Sequence, residues 1–277
     1  MLSYVQARAL LAARKRAEPT LASSLDLGLT SVVLSLSETG VLVPGQGELA
    51  WAEVEDVGEH ENVCFEVQAG ELHPIRGYSE EFSRTYQLMP TAAEPAMLIS
   101  GFVMHRIRDV SPAAGARAMV RAVLPVRGRL LDTATGLGYA AIEAAEHASE
   151  VVTVELDPWA QQMAAKNPWS RALFENPKIS QLIGNSKDVI QGFKAESFAA
   201  IVHDPPAINL AGELYSEEFY AQAYRVLARS GRVFHYVGDP HSASGGRVTK
   251  GVVRRLQSVG FKKVVLKPDA FGVLAFK

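Results

Sequence analysis

Two short segments carry residues whose types and order could do chemistry. In Asp132-Thr133-Ala134-Thr135-Gly136-Leu137-Gly138, a carboxylate precedes a pair of glycines. Glycines at the end of a strand let a ligand come close to the backbone. Gly136-x-Gly138-x-x-Ala141 also fits a dinucleotide fingerprint, so the glycines alone leave the ligand open. Asp132 leans against a pyrophosphate, because a carboxylate there attracts an ammonium group instead. Glu155 closes the apolar run Val-Val-Thr-Val-Glu-Leu, where a carboxylate can accept both hydroxyls of a ribose; this suits either ligand. The second segment is His203-Asp204-Pro205-Pro206-Ala207, in which consecutive prolines hold the backbone carbonyls rigid beside a carboxylate.

Both segments need a scaffold that brings strand ends together. From Pro112 onward helical and strand patterns alternate: Ala113 to Leu124, then GRLLDTATGLG, AAIEAAEHA, VVTVEL, PWAQQMAAK, KISQLI, SKDVIQGF, FAAIVHD, EEFYAQAYRVLA, GRVFHYVG and VVRRLQSV. Such alternation predicts right-handed crossovers and a parallel sheet covered by helices. The last stretch, KKVVLKPDAFGVLAFK, has only Pro268-Asp269 between two strands and predicts an antiparallel hairpin at the sheet edge. Up to about Pro90 the chain reads differently, as short strands with turns at Gly28, Pro44-Gly45-Gln46-Gly47 and Ala69-Gly70. The expected organisation is a small β-rich domain over 1–90, a connector over 91–111 and an α/β, Rossmann-like domain over 112–277.

Composition excludes several classes. The 277 residues are 48% hydrophobic and 21% charged, too apolar and too varied for a disordered, collagen-like or coiled-coil chain. Cys64 is the single cysteine, so neither an internal disulfide nor a thiolate cluster for zinc can form, and no metal is expected. No window holds the ~18 apolar residues of a membrane helix. In MLSYVQARALLAARKR the charges follow the apolar part, which reads as an amphipathic first helix and not a secretory signal, so a cytoplasmic protein is expected. The net charge of -2 hides an acidic front and a basic back. Ser37 to Phe82 holds eleven acids and one base, Gly245 to Lys277 eight bases and one acid. A basic face is what a polyanion needs.

With these residues in view, the stretch from about Arg108 to Lys277 resembles the class I S-adenosylmethionine-dependent methyltransferases. More loosely, the whole chain resembles an archaeal and bacterial family of methyltransferases described as spermidine-synthase-like. The resemblance implies S-adenosyl-L-methionine as cofactor, held by Asp132, Thr133, Thr135, Gly136, Gly138, Glu155, Leu156, Asn185, Ser186 and Asp204. Asn185, in LIGNSKD, stands where the family often has Asp; its amide oxygen can still accept from an adenine amine.

Asp204-Pro205-Pro206 is similar to the (Asp/Asn)-Pro-Pro-(aromatic) signature of methyltransferases acting on nitrogens conjugated to a planar ring. Such an amine is a poor nucleophile, and acceptors on Asp204 and Pro205 aimed at its N–H groups favour the pyramidal nitrogen that attacks a methyl. Ala207 departs from the signature by lacking the ring, and Tyr215 is the expected substitute. His105 and Arg106 are expected to cover the cofactor or touch substrate, and the loop Gly238 to Arg247 to hold a phosphate with Arg247 and Lys250. The leading expectation is methylation of an exocyclic amine of RNA, cytidine N4 in ribosomal RNA. The alternatives are an aminopropyltransferase of polyamine synthesis, a small-molecule methyltransferase and a cofactor-binding RNA assembly factor.

Overall fold

The computed structural model describes residues 1–239 and 242–277. They form two compact units, Met1–Pro112 with Gln162–Arg171, and Ala113–Gln161 with Ala172–Lys277.

The first unit opens on helix α1 (Tyr4–Lys15), whose start is fixed by a capping box between Ser3 and Gln6. Strands β1 (Thr20–Ser23), β2 (Val32–Leu36), β3 (Gly40–Val43) and β4 (Gly47–Ala50) follow as an antiparallel sheet in that order. The expectation of strands alone fails next, because Trp51–Glu59 forms helix α2. Trp51, Val54 and Val57 recur at helical spacing and pack into one core with Leu10, Leu34 and Leu49, while acids fill the outer face. Strands β5 (Phe65–Gln68) and β6 (Glu71–Pro74) make the expected hairpin, turning at Ala69 and Gly70, both left-handed. Strands β7 (Arg76–Ser79), β8 (Arg84–Met89), β9 (Ala96–Ile99) and β10 (Phe102–Val103) build a further antiparallel sheet. The stretch 91–111 is therefore more than a connector: its apolar run carries β9 and β10, reversed at the left-handed pair Ser100-Gly101. Gln162–Arg171 groups with this unit, and its Trp169 indole N–H donates to the Leu27 carbonyl at 3.1 Å.

The α/β part makes up the second unit, apart from Gln162–Arg171, which its chain contributes to the first. After α3 (Pro112–Ala122) come β11 (Arg129–Asp132), α4 (Tyr139–Ala145), β12 (Glu150–Glu155), α5 (Pro158–Lys166), α6 (Arg171–Glu175) and β13 (Ile179–Ile183). Then follow α7 (Ser186–Val189), β14 (Phe198–His203), α8 (Glu217–Val226), β15 (Leu227–Tyr236), α9 (Ala243–Ser258), β16 (Lys263–Lys267) and β17 (Gly272–Phe276). The sheet order is β13-β12-β11-β14-β15-β17-β16, parallel from β13 to β15 and antiparallel around β17. The chain winds outward from β11 to β13 and returns to β14 beside β11. That reversal opens a crevice at the carboxyl ends of β11 and β14, where such sheets bind ligands.

Strand register decides which side chains reach the crevice. Leu131, Ile201, Val233 and Val273 join Phe219, Tyr220, Val252 and Leu256 of α8 and α9 in one buried cluster. The alternate positions Asp132, Val202 and Phe234, paired across neighbouring strands, point to the opposite face. Among the described residues no helix is long and apolar enough to cross a membrane.

Candidate active site

The glycine turn leaves β11 at its carboxyl end and is held from several sides. Gly136 and Gly138 have φ of 53° and 82°, the left-handed region that suits glycine. At Gly138 a Cβ would lie 2.7 Å from Leu173 Cδ2, so a side chain there would push Leu173 aside as well as strain the backbone. The Gly136 N–H donates to Glu155 Oε2 at 2.9 Å, tying the turn to the end of β12. Glu155 Oε1 accepts from Leu156 N at 2.9 Å and Asp157 N at 3.3 Å. A carboxylate offers about four lone-pair sites; with two taken on Oε1 and one on Oε2, the remaining Oε2 site can accept from a ribose hydroxyl. Leu156 is half-buried beside it.

Thr133 and Thr135 serve the turn differently from the sequence expectation. Both are buried and their hydroxyls face inward, Thr135 Oγ1 to Thr153 Oγ1 at 2.7 Å and Thr133 Oγ1 to His203 Nδ1 at 2.6 Å. Their backbone N–H groups are tied as well, Thr133 N to the Val202 carbonyl at 3.1 Å and Thr135 N to the Val154 carbonyl at 2.9 Å, so both residues shape the loop. Ser186 likewise turns inward, donating to the Thr133 carbonyl at 2.6 Å. Asn185 caps α7, its side-chain oxygen accepting from Lys187 N at 2.9 Å. One lone pair of that oxygen and the amide N–H groups stay available for an adenine edge.

Three carboxyls converge near the turn. Asp132 is fully buried, with Thr153 Oγ1 donating to its Oδ2 at 2.8 Å. Burial pushes its carboxyl up to about 7, and repulsion from Asp204 and Glu155 adds to the rise. Burial lifts Glu155 to about 7 as well, against its three backbone hydrogen bonds. Asp204 is half-buried, and burial raises it to about 7. Among the described residues no lysine or arginine forms an ion pair with any of the three. Desolvated acids without a cation favour a positively charged ligand, which would restore the missing partner.

The Asp204-Pro205-Pro206 loop is clamped from below. His203, the last residue of β14, presents Nε2 to the Leu214 carbonyl at 3.0 Å. A carbonyl only accepts, so Nε2 carries the hydrogen and Nδ1 accepts from the Thr133 hydroxyl. Burial lowers His203 to about 3, which keeps it neutral, and its ring stacks on Phe219 at 4.6 Å. One imidazole thus joins the glycine turn to the segment following the proline pair, a role the sequence reading did not assign. A histidine directly before the Asp-Pro-Pro run was the available signal.

Tyr215 corrects another expectation. It is 4% exposed, packs on His235 at 4.9 Å between ring centroids, and donates its hydroxyl to the Pro206 carbonyl at 3.1 Å. Buried beneath the loop, it has no open face for stacking on a base; it fixes the proline pair instead. Ala207 is exposed and supplies no ring.

His105 belongs to the first unit, where its Nδ1 accepts from Met97 N at 3.2 Å and burial lowers it to about 4. That backbone role accounts for its burial; Arg106 beside it is half-buried. Pro240 and His241 of the Gly238–Arg247 loop lie outside the described residues. Ser242 caps α9 through Gly245 N at 3.0 Å. Arg247, Lys250 and Arg254 are exposed on one face of α9, whereas Arg255 folds back over Gly251.

The sheet order, the glycine turn against Glu155 and the carboxyl-end crevice together define a domain of the class I methyltransferase type. Residues 111–247 match the family model described as the methyltransferase small domain. Protein MJ1233 of Methanocaldococcus jannaschii is 38% identical over 234 residues, covering 84% of this chain and 80% of that one, and this chain belongs to the same family. A polyamine aminopropyltransferase of Mycobacterium tuberculosis is 31% identical over 99 residues, 34% of this chain and 19% of that protein. Two spermidine synthase structures share the fold. One, in complex with the transition-state analogue AdoDATO, has a TM-score of 0.61 at 16% identity and covers 90% of this chain and 76% of the other. The second, from Thermotoga maritima, has a TM-score of 0.59 at 15% identity and covers 93% and 78%.

Proposed function

We propose that the protein is an S-adenosylmethionine-dependent N-methyltransferase acting on an exocyclic amine of RNA, with cytidine N4 of ribosomal RNA as the leading acceptor. The observation that carries this reading is Asp204, a half-buried carboxyl beside a rigid proline pair, within electrostatic reach of Asp132 at the end of the adjacent strand. The residues fit the cofactor. Asp132 would face its ammonium group, Glu155 its ribose and Asn185 its adenine, while the left-handed glycines leave room for close approach. When bound, S-adenosylmethionine supplies an electrophilic methyl carbon on a sulfonium.

The chain's own work is positional. Asp204 and the Pro205 carbonyl accept from the two N–H groups of the amine, so the nitrogen lone pair leaves the ring's π-system and points at the methyl. Tyr215 and His203 keep that loop from moving. Fixed acceptors cost no reorganisation during transfer.

Glu155→Ala tests the cofactor half. It removes the remaining ribose acceptor and also frees the Gly136 N–H, so the affinity for S-adenosylmethionine should fall by about 3 kcal/mol, the upper end for charge-assisted hydrogen bonds. Calorimetry checks this, with NAD as the competing ligand; tight NAD binding would overturn the assignment.

The RNA half rests on α9. Arg247, Lys250 and Arg254 form no ion pair among the described residues, which leaves that face free to neutralise phosphates. Replacing all three by alanine should lower the log–log salt slope of ribosomal RNA binding by about 0.7–0.9 per lost contact. An unchanged slope with activity intact would favour a small-molecule acceptor.

The polyamine reading is supported by the short match to the mycobacterial aminopropyltransferase and by the spermidine synthase folds. Nucleoside mass spectrometry of total RNA from a deletion strain separates the readings. Loss of one methylated cytidine supports RNA methylation. An intact nucleoside profile, with aminopropyl transfer from decarboxylated cofactor to a diamine in vitro, would replace it.

A further inference from the structure

Strand β12 carries one polar residue in its buried interior. Val151, Val152, Thr153 and Val154 are all buried, and Thr153 fully so, at a position where valine has nearly the same shape. A hydroxyl buried there is unfavourable unless it is hydrogen-bonded, so its partners decide its role. Thr153 pairs with Asp132 across β11 and β12, and residues in register on neighbouring strands share a face of the sheet. Its Oγ1 donates to Asp132 Oδ2 at 2.8 Å and lies 2.7 Å from Thr135 Oγ1 in the glycine turn. A hydroxyl has a single hydrogen, and Thr153 gives its own to the carboxylate, so the Thr135 hydroxyl is the donor to Thr153.

This chain of hydroxyls fixes one carboxylate oxygen. The other, Oδ1, faces the turn, where Ala134 N meets it at a long 3.5 Å and leaves room for a stronger donor. Thr135 is itself pinned, its N–H on the Val154 carbonyl at 2.9 Å, so the donor behind Thr153 has a fixed place. Among the described residues, the charged groups that act on Asp132 are Asp204, just beyond β14, and Glu155, at the end of β12, both acids. Burial and these two acids favour the protonated carboxyl, while the Thr153 hydroxyl and the Ala134 N–H favour the ionised one.

We infer that Thr153, with Thr135 behind it, is the positioning residue for Asp132, holding Oδ2 so that Oδ1 meets the cofactor's ammonium group. This rests on the reading of S-adenosylmethionine as cofactor and names the side chain that readies its acid. A hydrogen bond to an ionised acceptor is stronger than one between neutral groups, so an oriented hydroxyl supports the carboxylate more than the acid. Valine would fill the same space in β12 and leave the carboxyl to burial and its two acidic neighbours.

The test uses the full-length protein with aspartate isotope-labelled at the side-chain carboxyl carbon, so that carbon NMR follows each titration and Asp132→Asn assigns the signal. The Asp132 midpoint should lie at about 7 in the ligand-free protein. In Thr153→Val it should rise by about one pH unit, the size for one hydrogen bond to a charged group. Thr153→Ser keeps the hydroxyl and should keep the midpoint. Thr135→Val removes the donor behind Thr153 and should raise it less, so the test survives a Thr153→Val that does not fold. Calorimetry with S-adenosylhomocysteine, which carries the ammonium group, reads the consequence. A rise of that size should weaken binding by Thr153→Val about tenfold near about pH 6 but only about twofold near about pH 8, where more of the carboxyl is ionised. A merely structural defect would weaken it equally at every pH. A midpoint that rises in a protein that binds no S-adenosylhomocysteine would keep the hold on Asp132 and remove the cofactor reading. A midpoint unmoved in the valine variants, or a deficit that does not change with pH, would overturn the inference.

Discussion

Replacement of Asp204 by alanine is expected to lower methyl transfer by about 10²–10³-fold or more, with cofactor affinity within a few-fold of wild type. The size follows from the position of the group. An acceptor fixed in a half-buried crevice acts where water cannot substitute for it, and Pro205 alone leaves one N–H of the amine unmatched. Asp204→Asn keeps an amide oxygen in nearly the same place and should retain more activity than alanine. A general base would give another pattern, with asparagine as inactive as alanine.

The raised carboxyl adds a pH signature. Burial lifts Asp204 to about 7, so below that pH the group is protonated and one acceptor oxygen becomes a donor. The rate at saturating substrates should therefore rise with pH through about 7 and level off above it, roughly tenfold per unit on the acid limb. The asparagine variant should lose this rise. Near-native rates for alanine at 204 would remove the exocyclic-amine mechanism.

Much of this site is legible in the sequence because its chemistry depends on consecutive residues. Asp132 to Gly138 is one strand end and one turn, and the left-handed Gly136 and Gly138 are a local requirement that only local sequence can meet. Asp204-Pro205-Pro206 is rigid by its own covalent structure. The alternation after Pro112 set the sheet, since each helix must cover the strands it connects.

What escaped depends on register and on burial. Thr133 and Thr135 look like ligand hydroxyls in a list of residues, yet both face inward, and only the paired strand ends show it. Tyr215 looks like a stacking ring in the sequence, yet it lies buried beneath the proline loop, its hydroxyl on the Pro206 carbonyl. Helix α2 was hidden for a similar reason: its nine residues follow directly on β4, and its apolar stripe becomes evident only against the core that includes Leu10 and Leu49.

The affinity for S-adenosylmethionine should itself depend on pH, with protons released on binding. Asp132, Glu155 and Asp204 all stand near 7 in the ligand-free protein, above the ordinary carboxyl range. Folding therefore favours their protonated forms. Their contribution to stability is whole below about 4 and is lost as pH rises through about 7. A ligand bearing an ammonium and a sulfonium reverses the preference, because it stabilises the ionised acids at its side. Affinity should climb between about pH 5.5 and 7.5, by up to tenfold per unit for each proton released, and flatten near pH 8, where an α-amino group itself begins to lose its charge. Calorimetry near pH 6 in buffers of different ionisation enthalpy measures the protons directly. S-adenosylhomocysteine lacks the sulfonium charge and should release fewer. Asp132→Asn should weaken binding most above pH 7, where the native carboxylate is charged, and should cut the proton count by the share Asp132 carries. Binding that released no protons and held one affinity from pH 5.5 to 8 would mean that the three acids do not serve a cationic ligand.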